Sequence, residues 1–112
     1  MPNPIRMYAK YPAVAHFMRN AAWMQRITIQ KGQTKHVVVL PGPVHRIDIA
    51  AGQWKVTHEF LRPGSDRWEK GKGRLSPDGR AVFDDGGPTE GDFDFNDATV
   101  TFAYLPGQES ET

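Results

Sequence analysis

The sequence contains no cysteine, which excludes disulfide bonds, thiolate zinc sites and cysteine nucleophiles. It also lacks a long hydrophobic run, because the longest one, Val37 to Leu40, is far too short to span a membrane. Residues Met1 to Lys10 lack the apolar core of a signal peptide. We therefore expect synthesis in the cytoplasm without a signal peptide and no membrane span, with later release or cell-surface association left open.

Basic residues are missing from the last part of the chain. Residues 84–112 contain eight acidic residues and no Lys or Arg, whereas residues 1–83 contain all fourteen Lys and Arg and five acids. The simpler interpretation of the basic part is an ordinary solvated surface. The alternative is a patch for nucleic acid or anionic glycans, centred on the basic segment Arg62 to Arg74 around Trp68. We predict no nucleic-acid partner, and the role of this basic segment stays open.

Short alternating runs separated by turn residues predict an all-β chain. Eleven Gly and nine Pro punctuate the sequence every eight to twelve residues. In one run Trp54, Val56, His58 and Phe60 share a face. Seven or eight such strands in a single domain spanning residues 1–112 are typical of an antiparallel β-sandwich. The predicted strands are Arg26–Gln30, Lys35–Leu40, Val44–Ile49, Trp54–Leu61, Ala81–Phe83 and Ala98–Tyr104.

Three segments fall outside this strand pattern. Residues 1–11 are predicted to form an N-terminal arm, irregular from Met1 to Arg6, and residues 108–112 a polar tail. Residues Ala13 to Arg26 are ambiguous, since Val14, Phe17, Met18 and Ala21 fit a helical stripe. Propensity favours a short helix in this segment, although its capping signals are poor.

The segment from Asp84 to Asp97, called the acidic loop below, contains six of the thirteen acidic residues and no basic one. Within it Asp92, Asp94 and Asn96 alternate with two phenylalanines, so an extended backbone directs three oxygen-bearing side chains to one side. Carboxylates crowd together at a high cost unless a positive charge lies among them. Ligands with oxygen donors alone favour calcium first and magnesium second.

Catalytic arrangements are not evident, and we predict that the chain is not an enzyme. The four histidines have no metal-ligand spacing, and none of the three serines lies in a Gly-x-Ser-x-Gly context. A glycosidase needs carboxyl groups on opposite sides of a cleft, whereas these lie in one loop. The loop is not an EF-hand either, because counting from Asp92 the sixth position is Asp97 instead of Gly and the twelfth is Ala103 instead of Glu.

Two stretches resemble the calcium-dependent bacterial lectins that bind fucose and mannose. Asp92 to Val100 (DFDFNDATV) is similar to that family's Asp-x-Asp-x-Asn-Asp-Ala-x-Val stretch, which enters its last strand, and Tyr104 to Gly107 is similar to its aromatic-Pro-Gly ending. Val14 to Ala22, followed by Ile27 to Ile29, resembles the family's first hairpin, in which an Asn ends a strand and small residues follow. Gly52 to Asp66 resembles its middle hairpin more loosely.

The resemblance implies a sandwich of about nine short strands that holds two adjacent calcium ions. Vicinal hydroxyls of a mannose- or fucose-type sugar would coordinate both ions directly. The small residues after the Asn lack hydroxyl groups, which favours mannose. By motif position the resemblance implies the metal ligands Asn20, Asp92, Asp94, Asn96 and Asp97, with Asp94 and Asp97 bridging the ions, and the sugar-binding residues Asn20, Ala21, Ala22, Asp92, Asp94 and Asp97.

Several positions depart from the family pattern. Pro88 stands where the family has a Glu ligand, so either Asp85 or Glu90 is expected to complete the first calcium site. Trp23 follows the small residues and either forms a wall of the sugar pocket or packs inward. The family's C-terminal carboxylate enters a neighbouring subunit's site, whereas this chain continues beyond Gly107.

Two functional hypotheses follow. The first is a lectin, which we expect to be a homodimer or larger because weak monosaccharide sites need avidity. The second is a calcium-stabilised β-sandwich that serves adhesion or scaffolding without a sugar site. Asn20 discriminates between them, since only the lectin hypothesis requires this residue to lie beside Asp94 and Asp97.

Overall fold

The computed structural model describes residues 4–20, 23–84 and 97–104. These residues form strands and turns, and none of them belongs to a helix that could cross a membrane. The ten strands are β1 (Ile5–Ala9), β2 (Ala13–Arg19), β3 (Met24–Lys31), β4 (Thr34–Leu40), β5 (Arg46–Ile49), β6 (Gly52–Leu61), β7 (Trp68–Lys70), β8 (Lys72–Leu75), β9 (Ala81–Asp84) and β10 (Ala98–Tyr104).

The strands form two antiparallel sheets, which confirms the predicted all-β sandwich, and the described residues contain ten strands where about nine were expected. The first sheet has the order β1-β6-β3-β4, with β7 also paired to β6. The second sheet has the order β5-β2-β10-β9-β8. A two-residue turn joins β3 to β4, and Gly32 supplies its positive φ of 59°.

The core lies between the sheets and follows from period-two alternation. The predicted inner face of β6 is confirmed, since Trp54, Val56, His58 and Phe60 are all buried. The His58 ring stacks on Phe83 of β9 with centroids 4.8 Å apart, which joins the first sheet to the second. Burial of each large apolar side chain in this core contributes roughly 1.5–3 kcal/mol to the free energy of folding.

The helix predicted within Ala13 to Arg26 is wrong, because this segment contains β2 and the start of β3. Ala13, Ala15 and Phe17 alternate into the core, whereas Met18 of the supposed helical stripe is 65% exposed. Strand β2 pairs with β5 on one side and β10 on the other. Helix propensity is a weak preference of tenths of a kcal/mol, so these two ladders and the alternating burial override it.

The predicted N-terminal arm is corrected over its described part, since Ile5–Ala9 forms β1 along β6, and residues 1–3 lie outside the described residues. Ile5, Met7 and Ala9 are buried in the core, while Arg6 and Tyr8 face outward. The alternation of these five residues is the signal for a strand that a polar, proline-containing start to the chain obscured. The predicted tail, residues 108–112, lies outside the described residues.

The basic segment forms β7 and β8, two strands that sequence inspection missed. Two of its five cations, Arg62 and Lys72, form ion pairs within the protein. Arg62 lies 2.7 Å from a carboxylate oxygen of Glu69, and the guanidinium of Arg26 covers the Trp68 ring at 4.4 Å. Lys72 is buried. The segment therefore adds a strand to each sheet, β7 beside β6 and β8 beside β9.

Candidate metal centre at the acidic end of the sandwich

The end of β2 and the start of β10 bring Asn20 and Asp97 together. Arg19 and Ala98 are paired across the two antiparallel strands, so the residues that follow and precede them are neighbours. The backbone N–H of Asn20 donates to the carbonyl oxygen of Asp97 at 2.8 Å. Two residues distant in the chain, both implied as ligands by the lectin resemblance, thus lie side by side.

The acidic loop connects β9 to β10, and hydrogen bonds fix its base. The N–H of Asp97 donates to the carbonyl of Phe83 at 3.0 Å, next to the pair formed by Ala98 and Phe83. The main chain of Asp97 is therefore bonded to β9 through its N–H and to Asn20 through its carbonyl. When the carboxylate of Asp97 binds a ligand, the side-chain rotamer still has to be fixed, whereas the backbone is already ordered.

The first acid of the loop, Asp84, has a protein cation beside it. Its Oδ2 lies 3.4 Å from Nζ of Lys72, and the two side chains are only 1% and 5% exposed. A buried carboxylate requires such compensation, because desolvating an unpaired charge is costly. Lys72 thus compensates the charge of one of the six acids of the loop, although no basic residue lies within the loop itself.

A buried polar pair, His58 and Gln25, lies near this ion pair. Nε2 of His58 donates to Oε1 of Gln25, since an amide oxygen can only accept. Burial lowers the pKa of His58 from 6.5 to about 3, so the imidazole is neutral at physiological pH. A Cβ at Gly71 would lie only 2.2 Å from Nδ1 of His58, which explains why glycine is needed there.

Trp23 packs against the protein and also lines a cleft. Its ring stacks on Phe60 with centroids 5.8 Å apart, and the Arg62 guanidinium lies 5.5 Å from the Trp23 ring. The side chain is nevertheless only half-buried. The cleft has a volume of about 270 Å³ and is lined by Trp23, Met24, Leu61, Arg62, Pro63, Gly64 and Ser65.

A second cleft lies directly beside Asn20. It has a volume of about 290 Å³ and is lined by Met18, Arg19, Asn20, Arg80 and Thr99. Amide, hydroxyl and guanidinium groups in such a cleft can donate hydrogen bonds to the oxygens of a polyhydroxylated ligand.

The other implied site residues lie outside the described part of the chain: Ala21, Ala22, Asp85, Glu90, Asp92, Asp94 and Asn96. Over residues 4–20, 23–84 and 97–104, no group of three or more His, Asp or Glu side chains is placed to hold a metal. The described donors that suit a hard cation are the amide oxygen of Asn20 and the carboxylate of Asp97. Both donate through oxygen, which fits calcium.

The polar residues at this end of the molecule were predictable from the sequence only in part. Asn20 and Asp97 came from the family resemblance. Lys72, Asp84 and Gln25 were missed as a buried polar group, although the position of His58 on an otherwise apolar strand face indicated that a polar partner must lie in the core.

Comparison of the chain with protein-family models, with curated proteins and with solved structures finds no match.

Proposed function

We propose that this protein is a calcium-dependent lectin that binds mannose- or fucose-type monosaccharides, with mannose preferred. The single supporting observation is that Asn20 and Asp97 are neighbours, joined by a hydrogen bond of 2.8 Å from the backbone N–H of Asn20 to the backbone carbonyl of Asp97. A sugar site of this kind needs an amide from the first hairpin next to carboxylates from the acidic loop. A β-sandwich that used calcium only to fasten its last strand would not need Asn20 in that place.

The chain would supply an oxygen-only ligand set for two calcium ions. Asn20 and Asp97 are the members of this ligand set that the structure describes. Asp92, Asp94 and Asn96 would complete the set, with Asp85 or Glu90 as the remaining acid. Bound calcium supplies a polarising charge that makes neutral sugar hydroxyls effective ligands. The chain's own contribution would be to position Asp97 through its backbone hydrogen bonds and to donate hydrogen bonds from the cleft beside Asn20.

Tight binding to a glycan-covered surface would come from several sugar sites that bind at the same time. One monosaccharide site buries little area and binds weakly, whereas linked sites raise the effective concentration of the second contact. We therefore propose a homodimer or larger assembly.

Calorimetry with mannose tests this function. Heat of binding is expected in millimolar calcium and is expected to vanish with a chelator. Calcium should also raise the melting temperature, since a ligand at about 100 times its Kd stabilises the folded state by about 2.7 kcal/mol. Calcium binding without heat from mannose, fucose or fructose at millimolar concentration would contradict the lectin and leave the calcium-stabilised sandwich. No calcium binding would overturn both.

A conservative substitution tests the site itself. Asp97→Asn keeps the backbone contacts but removes a carboxylate ligand. Loss of a residue that only supports a metal ligand typically lowers metal affinity by about 10–100-fold, so loss of the ligand itself should lower calcium affinity by at least that factor. Asp48→Asn is the matched control, because Asp48 is an exposed acid on β5 opposite Val14, away from the loop. Equal calcium affinity in the wild type and Asp97→Asn would show that the ligand assignment is incorrect.

A further inference from the structure

A row of cations crosses the outward face of the first sheet. Arg6 of β1 lies opposite Lys55 of β6, which lies opposite Gln30 of β3, which lies opposite Lys35 of β4. Residues directly opposite each other in a sheet share a face, so these four side chains form one line, the cationic row. With neighbouring strands about 4.8 Å apart, the row is about 14 Å long.

Further polar groups surround one half of the cationic row. Lys31 and Gln53 line a shallow depression of about 250 Å³ together with Arg6, Gln30, Gly32 and Lys55. This depression therefore combines three positive charges with two amides that can donate hydrogen bonds. Its chemistry fits an anion that presents several acceptor oxygens.

Among residues 4–20, 23–84 and 97–104, no acid forms an ion pair with the cationic row. The ion pairs found among the described residues are Arg26–Glu59, Arg62–Glu69, Lys72–Asp84 and Arg80–Asp78, and none includes Arg6, Lys31, Lys35 or Lys55. Like charges directly opposite in a sheet are destabilising, and Arg6 with Lys55 is such a pair. Lysine on an edge strand discourages aggregation, but Lys55 lies on β6, which has neighbours on both sides.

We propose that the cationic row binds a sulfated polysaccharide. A chain with regularly spaced sulfates can place negative charges beside successive cations along the 14 Å or so of the row. Single-stranded nucleic acid would instead need several exposed rings for base stacking. On the described outward face of this sheet, Tyr8, which is 69% exposed, is the ring near the row, and Trp68 lies toward the far end of β6 with the Arg26 guanidinium over it. Recognition by charge therefore fits better than recognition by stacking.

This surface is separate from the calcium site proposed above. Gln30 lies near the Gly32 turn at one end of β3, whereas Met24 lies at the other end, toward Asn20. Six residues of strand separate them, about 20 Å. Binding at the cationic row is thus independent of the lectin function, and it should persist when calcium is removed.

The test measures the affinity of the full chain for heparin in chelator, over a series of salt concentrations. Lys35→Gln/Lys55→Gln is expected to weaken binding by about tenfold or more and to reduce the slope of log K against log salt by about 2. Arg67→Gln/Lys70→Gln is the matched control, because it removes the same net charge from exposed residues elsewhere. Its affinity should stay within about twofold of the wild type.

Three results would overturn the proposal: no heparin binding by the wild type, equal weakening in the two double variants, or equal or tighter binding of single-stranded DNA. Desulfated heparin should bind at least about tenfold more weakly than heparin if sulfate is the recognised group. Melting temperatures of both variants verify that each is folded.

Discussion

Lys72→Met is expected to lower the free energy of unfolding by about 3–5 kcal/mol, because it leaves the charge of Asp84 buried without its partner. The two side chains are 5% and 1% exposed, so water cannot readily replace the ammonium group. Methionine retains much of the apolar stem, which separates loss of charge from loss of packing. Urea denaturation monitored by tryptophan fluorescence measures the change.

Two controls define the cause of that loss. Arg80→Met breaks the exposed pair with Asp78, whose side chain is 61% exposed, and should destabilise the protein far less than Lys72→Met, because solvent screens an exposed pair. Lys72→Met/Asp84→Asn removes both charges and should recover more than half of the lost stability. If the double variant is as unstable as Lys72→Met, the ion pair is not the reason, and the lysine stem acts through packing.

Acidification from pH 6.5 to 4.5 is expected to destabilise the protein by roughly 2–3 kcal/mol through His58 alone. Burial lowers the pKa of this group in the folded state to about 3, against an ordinary value of 6.5. Between these values the unfolded chain binds a proton that the folded chain does not. The contribution of His58 is therefore complete above pH 6.5, declines as the pH falls, and declines no further below about pH 3.

The slope of stability against pH, rather than absolute stability, is the measurement for this prediction. His58→Gln should flatten the slope over this window, and His45→Gln, at an exposed histidine, should leave it as in the wild type. Carboxylates contribute mainly at lower pH. Asp78 is one example, since hydrogen bonds from Ser76 and Arg80 hold its pKa below the ordinary value. An unchanged slope in His58→Gln would contradict the assignment.

The candidate site was predictable only in part. The acidic loop is conspicuous because its residues are contiguous, and a run of oxygen donors specifies a class of cation wherever it lies. The position of Asn20 beside Asp97 could not be derived from spacing, because it depends on which strands pair. The family resemblance pointed to Asn20, and the pairing of β2 with β10 places the two residues together.

The sequence by itself determined the fold class and the inner face of β6, because period-two alternation is a local property that any strand pairing must satisfy. Tertiary structure decided that Ala13 to Arg19 is a strand, since pairing on both sides outweighs helix propensity. It also decided the pairing of Lys72 with Asp84 and the alignment of Arg6 with Lys55. These depend on the register between strands, which brings distant residues to one place and which no local pattern encodes.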